Sequence, residues 1–98
     1  MSTPKDDKAA IRAIIRAVRA AGWHLDHVND GEEETAVTTE EAALDAITAV
    51  DEARLYVRKQ GRRGWVLFVM GNEPYEVAAN YTVNLTDAID PLTDSWDD

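Results

Sequence analysis

Ala53-Arg-Leu-Tyr-Val-Arg-Lys-Gln-Gly-Arg-Arg-Gly-Trp-Val-Leu-Phe-Val-Met70 is the stretch whose reading decides the fold. Ala53, Leu55 and Val57 alternate with Arg54, Tyr56 and Arg58, the two-residue period of a strand buried on one face. Gln60-Gly61-Arg62-Arg63-Gly64 reads as a hairpin loop, and six apolar residues, 65–70, follow it. So uniform a run describes a central strand covered on both faces, or a strand whose second face binds something.

A second hairpin is predicted upstream. Residues 23–28 read as a strand with Trp23, Leu25 and His27 on one side and His24, Asp26 and Val28 on the other. Asn29-Asp30-Gly31 is a tight-turn signal, because Asp-Gly supports the positive φ such turns need. Residues 32–37 return as a strand that is short or at an edge, since it opens on three glutamates.

Helices flank these hairpins. Ser2 or Thr3 before Pro4, with Asp6 and Asp7 next, predicts a helix start. Ile11, Ile14, Ile15 and Val18 then make one apolar stripe, and Gly22 is a natural stop, giving a helix over 5–21. Thr38 with Glu41 fits a capping box, as Thr39 does only in part with Ala42, ahead of Ala43, Leu44, Ile47 and Val50, giving a second helix over 39–50. Residues 75–82 read as a short helix, and Asn84 as the cap of a further turn, 85–89, stopped by Asp90-Pro91. The expected fold is a single α+β domain, a two-layer sandwich of order α-β-β-α-β-β-α. Its four-stranded, mainly antiparallel sheet packs on two to three helices, and residues 1–4 and 92–98 form mobile termini.

Ninety-eight residues at 45% hydrophobic suit one globular domain. Without cysteine, neither disulfides nor thiolate metal ligation is available, which leans towards a reducing compartment. The first eight residues are polar, and no apolar run approaches the ~18 residues that span a bilayer, so the cytoplasm is the expected location.

Charge is segregated along the chain. Lys5, Lys8, Arg12, Arg16 and Arg19 fill one window; Arg54, Arg58, Lys59, Arg62 and Arg63 fill another, and no other lysine or arginine exists. Residues 20–53 hold ten carboxylates and residues 64–98 seven, with no cation among them. A chain of formal charge −9 laid out in this way should present a negative surface. That balance opposes binding to phosphate backbones and to anionic membranes. Proteins, basic ones above all, are the expected partner class.

Catalytic chemistry finds little material. Ser2 and Ser95 are the only serines, both near a terminus, so nucleophilic assemblies lack a member. His24 and His27, three apart on a strand, fall on opposite faces and cannot share a metal or a proton. A calcium loop starting at Asp26 fails at Val28 and Val37, its third and twelfth positions. No catalytic residue, metal site or cofactor is expected. The arginine hairpin, with Tyr56 and Trp65 beside it, has the composition of a single-strand nucleic-acid binder. Because the rest of the molecule would repel phosphates, its cations are expected to pair with the acidic second helix, within a chain or between chains.

Two non-enzymatic readings follow. In the first, Glu32, Glu33, Glu34, Glu40, Glu41 and Asp45 form an acidic face that imitates phosphate spacing and occupies the basic, nucleic-acid-binding surface of a protein partner. In the second, the chain associates with itself as a homodimer or adaptor. Arg54, Arg58, Arg62 and Arg63 dock on another copy's acids, and residues 65–70 supply apolar area.

Asp30-Gly31-Glu32-Glu33, residues 39–53, Gly64-Trp65-Val66-Leu67-Phe68-Val69-Met70-Gly71-Asn72, Tyr81-Thr82 and Asn84-Leu85 carry a resemblance. Through about two-thirds of its length the chain resembles small uncharacterised proteins encoded by phages and prophages. The resemblance implies a mobile-element accessory protein in a bacterial host cytoplasm and favours the inhibitor reading. It implies no functional residues.

Overall fold

The computed structural model describes residues 4–71, 73 and 76–96. Along the chain run helix α1 (Asp7–Ala20), strands β1 (His24–Asn29) and β2 (Glu34–Ala36), helix α2 (Glu40–Thr48) and strands β3 (Glu52–Lys59), β4 (Arg62–Val69) and β5 (Ala78–Tyr81). A 3-10 turn (Val83–Leu85) and helix α3 (Thr86–Trp96) complete it. The class is α+β, as the sequence predicts, but the antiparallel sheet has five strands in the order β2-β1-β3-β4-β5.

The β3–β4 hairpin sets the register. Its turn is only Gln60-Gly61, at φ +50° and +81°, the two positive values a two-residue hairpin turn requires. Arg62, Arg63 and Gly64 therefore belong to β4, not to a five-residue loop, and Arg58 stands opposite Arg63 and Tyr56 opposite Trp65. Ala53, Leu55, Val57, Gly64, Val66 and Phe68 all turn inward and are buried. They meet Ile11, Ile14, Ile15 and Val18 of α1, Leu44 and Ile47 of α2, and Ile89 of α3 in a single core.

Local signals start and stop the helices; the starts differ from expectation, and the stop of α1 at Gly22 is as expected. Asp6, not Ser2 or Thr3, caps α1: its Oδ1 accepts from the Ala9 N–H at 2.8 Å. The two expected caps lie outside the described residues. Gly22 adopts φ +97° just past the helix, and its N–H donates to the Arg19 carbonyl. For α2 the cap is Thr39, whose Oγ1 accepts from the Ala42 N–H at 3.1 Å, so the Thr38–Glu41 box does not form.

Three further differences have physical reasons. The expected helix over 75–82 is replaced by β5 from Ala78, because β4 has an open edge and pairs Val66 with Tyr81 and Phe68 with Ala78. Tyr75 itself lies outside the described residues. Helix α3 runs through Pro91 instead of stopping there, and Leu92–Trp96 is helix where a mobile tail was expected. Ile89 and Trp96, seven apart on one helix face, are both buried, and that burial outweighs the hydrogen bond Pro91 cannot donate. The Tyr81 hydroxyl donates to Asp90 on the same helix; burial, and then this bond, push its pKa up to about 12. Lastly, β1 does not alternate as expected, since its pairing with β3 is irregular between Leu25 and His27.

Gly64 shows how tightly the layers close. A Cβ there would lie 3.0 Å from Asn84 Oδ1 and Thr82 Oγ1 and 3.3 Å from Leu85 Cγ. Gly64→Ala is expected to destabilise the fold by ~1–3 kcal/mol through overpacking. Urea denaturation checks this; wild-type stability in the variant would mean that the 3-10 turn moves aside freely.

Candidate functional site: the open face of the sheet

A strand exposes alternate residues, so a register that buries Leu55 and Val66 must turn Tyr56 and Trp65 the other way. Among the described residues no helix packs on that second face, and Tyr56, Trp65, Leu67 and Val69 are half-buried there. The uniform apolar run of 65–70 thus belongs to a strand with one face uncovered among the described residues, not to one covered on both faces.

An aromatic row crosses the middle of this face. His27 pairs with Tyr56, which pairs with Trp65. The His27 and Tyr56 rings stack at 4.5 Å, 10° from parallel. Arg54, one row away, sets its guanidinium 5.0 Å from the Trp65 ring centroid, a contact worth roughly 0.5–1 kcal/mol at an exposed site. The bulge in β1 is what brings His27 here: with Asp26 as the extra residue, Leu25 and Val28 both face Val57 and Leu55 in the core. His24, opposite Arg58, and His27, opposite Tyr56, therefore share the open face, which corrects the expectation of opposite faces. Asp26 Oδ1 lies 3.6 Å and Glu34 Oε1 3.5 Å from the His27 ring nitrogens.

Charge divides between the ends of the sheet. At the β3–β4 turn stand His24, Arg58, Lys59, Arg62 and Arg63; Lys59 donates to the Ala21 carbonyl at 2.7 Å. Among the described residues no salt bridge involves Arg54, Arg58, Arg62 or Arg63. The opposite end holds the β1–β2 turn with Asp30, Glu32 and Glu33, the start of β3 with Asp51 and Glu52, and Glu34 across from Asn29. Asp30 folds that turn by accepting from the Glu33 and Glu32 N–H groups at 2.8 and 2.9 Å, and these bonds lower its pKa. Glu32 and Glu33 remain exposed.

The six acids predicted as one face therefore separate. Glu32, Glu33 and Glu34 stay at one end of the sheet. Glu40 and Glu41 open α2 and are held by α1: Arg12 Nη1 lies 2.8 Å from Glu40 and also bonds Glu41, while Arg16 Nε reaches Glu40 at 3.1 Å. Asp45 is exposed further along α2. The acidic second helix thus pairs with the first basic window, not with the arginine hairpin as expected. Arg12 and Arg16, four apart, share one flank of α1, but which element faces them depends on how the helices pack. Tyr56 and Trp65 were legible as hairpin aromatics; His27 was hidden by the bulge.

No family model, curated protein or solved structure matches the chain. No described helix is long and apolar enough to cross a membrane.

The α1–α2 ion pairs give a pH signature. Hydrogen bonding to Arg16 and then to Arg12 holds the Glu40 pKa below the ordinary carboxylate value, against the opposing effect of burial. A depressed folded-state pKa adds stability above the unfolded value, near 4.3, and that stability is lost as pH falls through the folded value. Thermal unfolding from pH 6 to 3 is expected to show a decline that Glu40→Gln flattens; an identical decline in the variant would remove Glu40 from this role.

Proposed function

We propose that this protein is a non-enzymatic self-associating module whose contact surface is the open face of its sheet. The observation that carries the reading is self-complementarity: aromatic and apolar groups in the middle, Arg58 and Arg63 at one end without a salt bridge among the described residues, and exposed Glu32, Glu33 and Glu52 at the other. A two-fold axis lying between two such sheets and crossing their strands sets the arginine end of each copy over the acidic end of its partner. The same rotation lays Tyr56, Trp65 and Leu67 against their counterparts, where large rings supply most of the desolvation. Sheets packed face to face in this way interdigitate their side chains at about 10 Å.

This arrangement uses Glu32 and Glu33 together with Arg58 and Arg63, residues from both readings drawn from the sequence; Arg54 lies opposite Asn29 near the acids, Glu34 beside His27, and Arg62 opposite Lys59. It leaves out Glu40 and Glu41, which already neutralise Arg12 and Arg16. Masking of a partner's basic surface draws less support: two of its six carboxylates, Glu40 and Glu41, are engaged within the chain, and only Glu32, Glu33 and Glu34 stay together.

Sedimentation equilibrium at low salt is expected to give twice the 10.9 kDa chain mass, falling towards a single chain as salt screens the charged ends. Charge reversal supplies the sharper arm. Neither the R58E/R62E/R63E chain nor the E32K/E33K/E52K chain should associate with itself, while a mixture of the two should form a heterodimer. A wild-type monomer at every salt concentration, or a mixture that stays monomeric, would sink the reading.

A further inference from the structure

At the hairpin end of the open face, His24, Arg58, Arg62 and Arg63 border a concavity of about 470 Å³ that contains no carboxylate. Arg63 also borders a neighbouring concavity of about 440 Å³ floored by Tyr56 and Trp65, with Asp26 and Glu34 on its wall. The two share Arg63 on their rims. We propose that together they form a binding site for a nucleoside phosphate, with phosphate in the first concavity and base in the second. This goes beyond self-association and does not depend on it.

The chemistry of each half selects its part of the ligand. Three guanidiniums with no salt-bridging carboxylate among the described residues leave a local excess of cation in a chain of net charge −9. Planar, multidentate donors of this kind match the geometry of phosphate oxygens. The second half offers the Tyr56 and Trp65 rings, with the Asp26 and Glu34 carboxylates as hydrogen-bond acceptors. A flat heterocycle carrying an exocyclic amino group, as adenine and cytosine do, satisfies both features. A bare anion would gain nothing from Tyr56 and Trp65 and would be repelled by Asp26 and Glu34. A long strand is disfavoured by the carboxylates beyond the site, towards Glu52 and the β1–β2 turn, which would face successive phosphates. The ligand is therefore a free nucleotide.

Trp65 is the half-exposed tryptophan; Trp23 and Trp96 are 6% and 5% exposed, so quenching of intrinsic fluorescence reports mainly on this site. Titration is performed at a protein concentration where sedimentation gives a single chain mass, which keeps the outcome separate from self-association. ATP is expected to quench saturably with one site by calorimetry. Adenosine and tripolyphosphate should each bind at least about tenfold more weakly, as should ATP to the R58Q/R63Q variant, the loss of about one charged hydrogen bond. Circular dichroism of the variant should match the wild type. No saturable binding by folded wild-type protein, or tripolyphosphate binding as tightly as ATP, would overturn the proposal. So would an oligo-dA strand binding more tightly than ATP, which would assign the face to single strands.

Discussion

The register of the β3–β4 hairpin is the constraint on which the rest depends. A two-residue turn at Gln60-Gly61 leaves no slack, so every residue from Glu52 to Val69 has its face assigned. A slip of one residue would carry Phe68, Val66 and Leu55 into water and drive Arg54 and Arg58 into the core. Burial of those apolar groups, at ~1.5–3 kcal/mol each for the large ones, makes the alternative registers inaccessible. The same assignment displays Tyr56, Trp65 and Arg54 together on the opposite side, so core and candidate site are two consequences of one pairing.

Electrostatics then divides the molecule into a settled side and an unsettled one. On the helical side, cations of α1 meet carboxylates of α2, and the pairing ties two helices whose apolar stripes already face the sheet. On the sheet side, Arg58 and Arg63 stand at the hairpin end, Glu52 and the β1–β2 turn at the other, with Arg54 opposite Asn29 near the acids; among the described residues none of these arginines makes a salt bridge. Unlike charges held apart on a rigid, partly apolar surface create a demand for something outside the molecule. A second copy, and a small phosphate-bearing ligand at the arginine end, each answer it. They compete for the same guanidiniums, so the ligand would weaken association.

Much of this was legible residue by residue. The alternation at 53–58 placed Tyr56 beside the arginines and away from the core, and the stripe from Ile11 to Val18 fixed the buried face of α1. What escaped the pattern depended on contacts distant in sequence. β5 exists because β4 has an edge to complete, not because residues 78–81 favour a strand by themselves. Helix α3 passes Pro91 because Trp96 finds a place in the core, a gain invisible to local propensity. The bulge at Asp26 reconciles Leu25 and Val28 with one core, and it moved His27 to the face where its aromatic partner stands.

By itself, then, the sequence determined the fold class, the buried faces of α1, α2 and β3 and the excess of acid over base, because these follow from periodicity and composition. The tertiary structure alone decided which charges neutralise one another and which remain. Arg12 and Arg54 look alike along the chain. One lies against the start of an acidic helix, the other over a tryptophan on an uncovered sheet, because the packing of elements far apart in sequence places their neighbours.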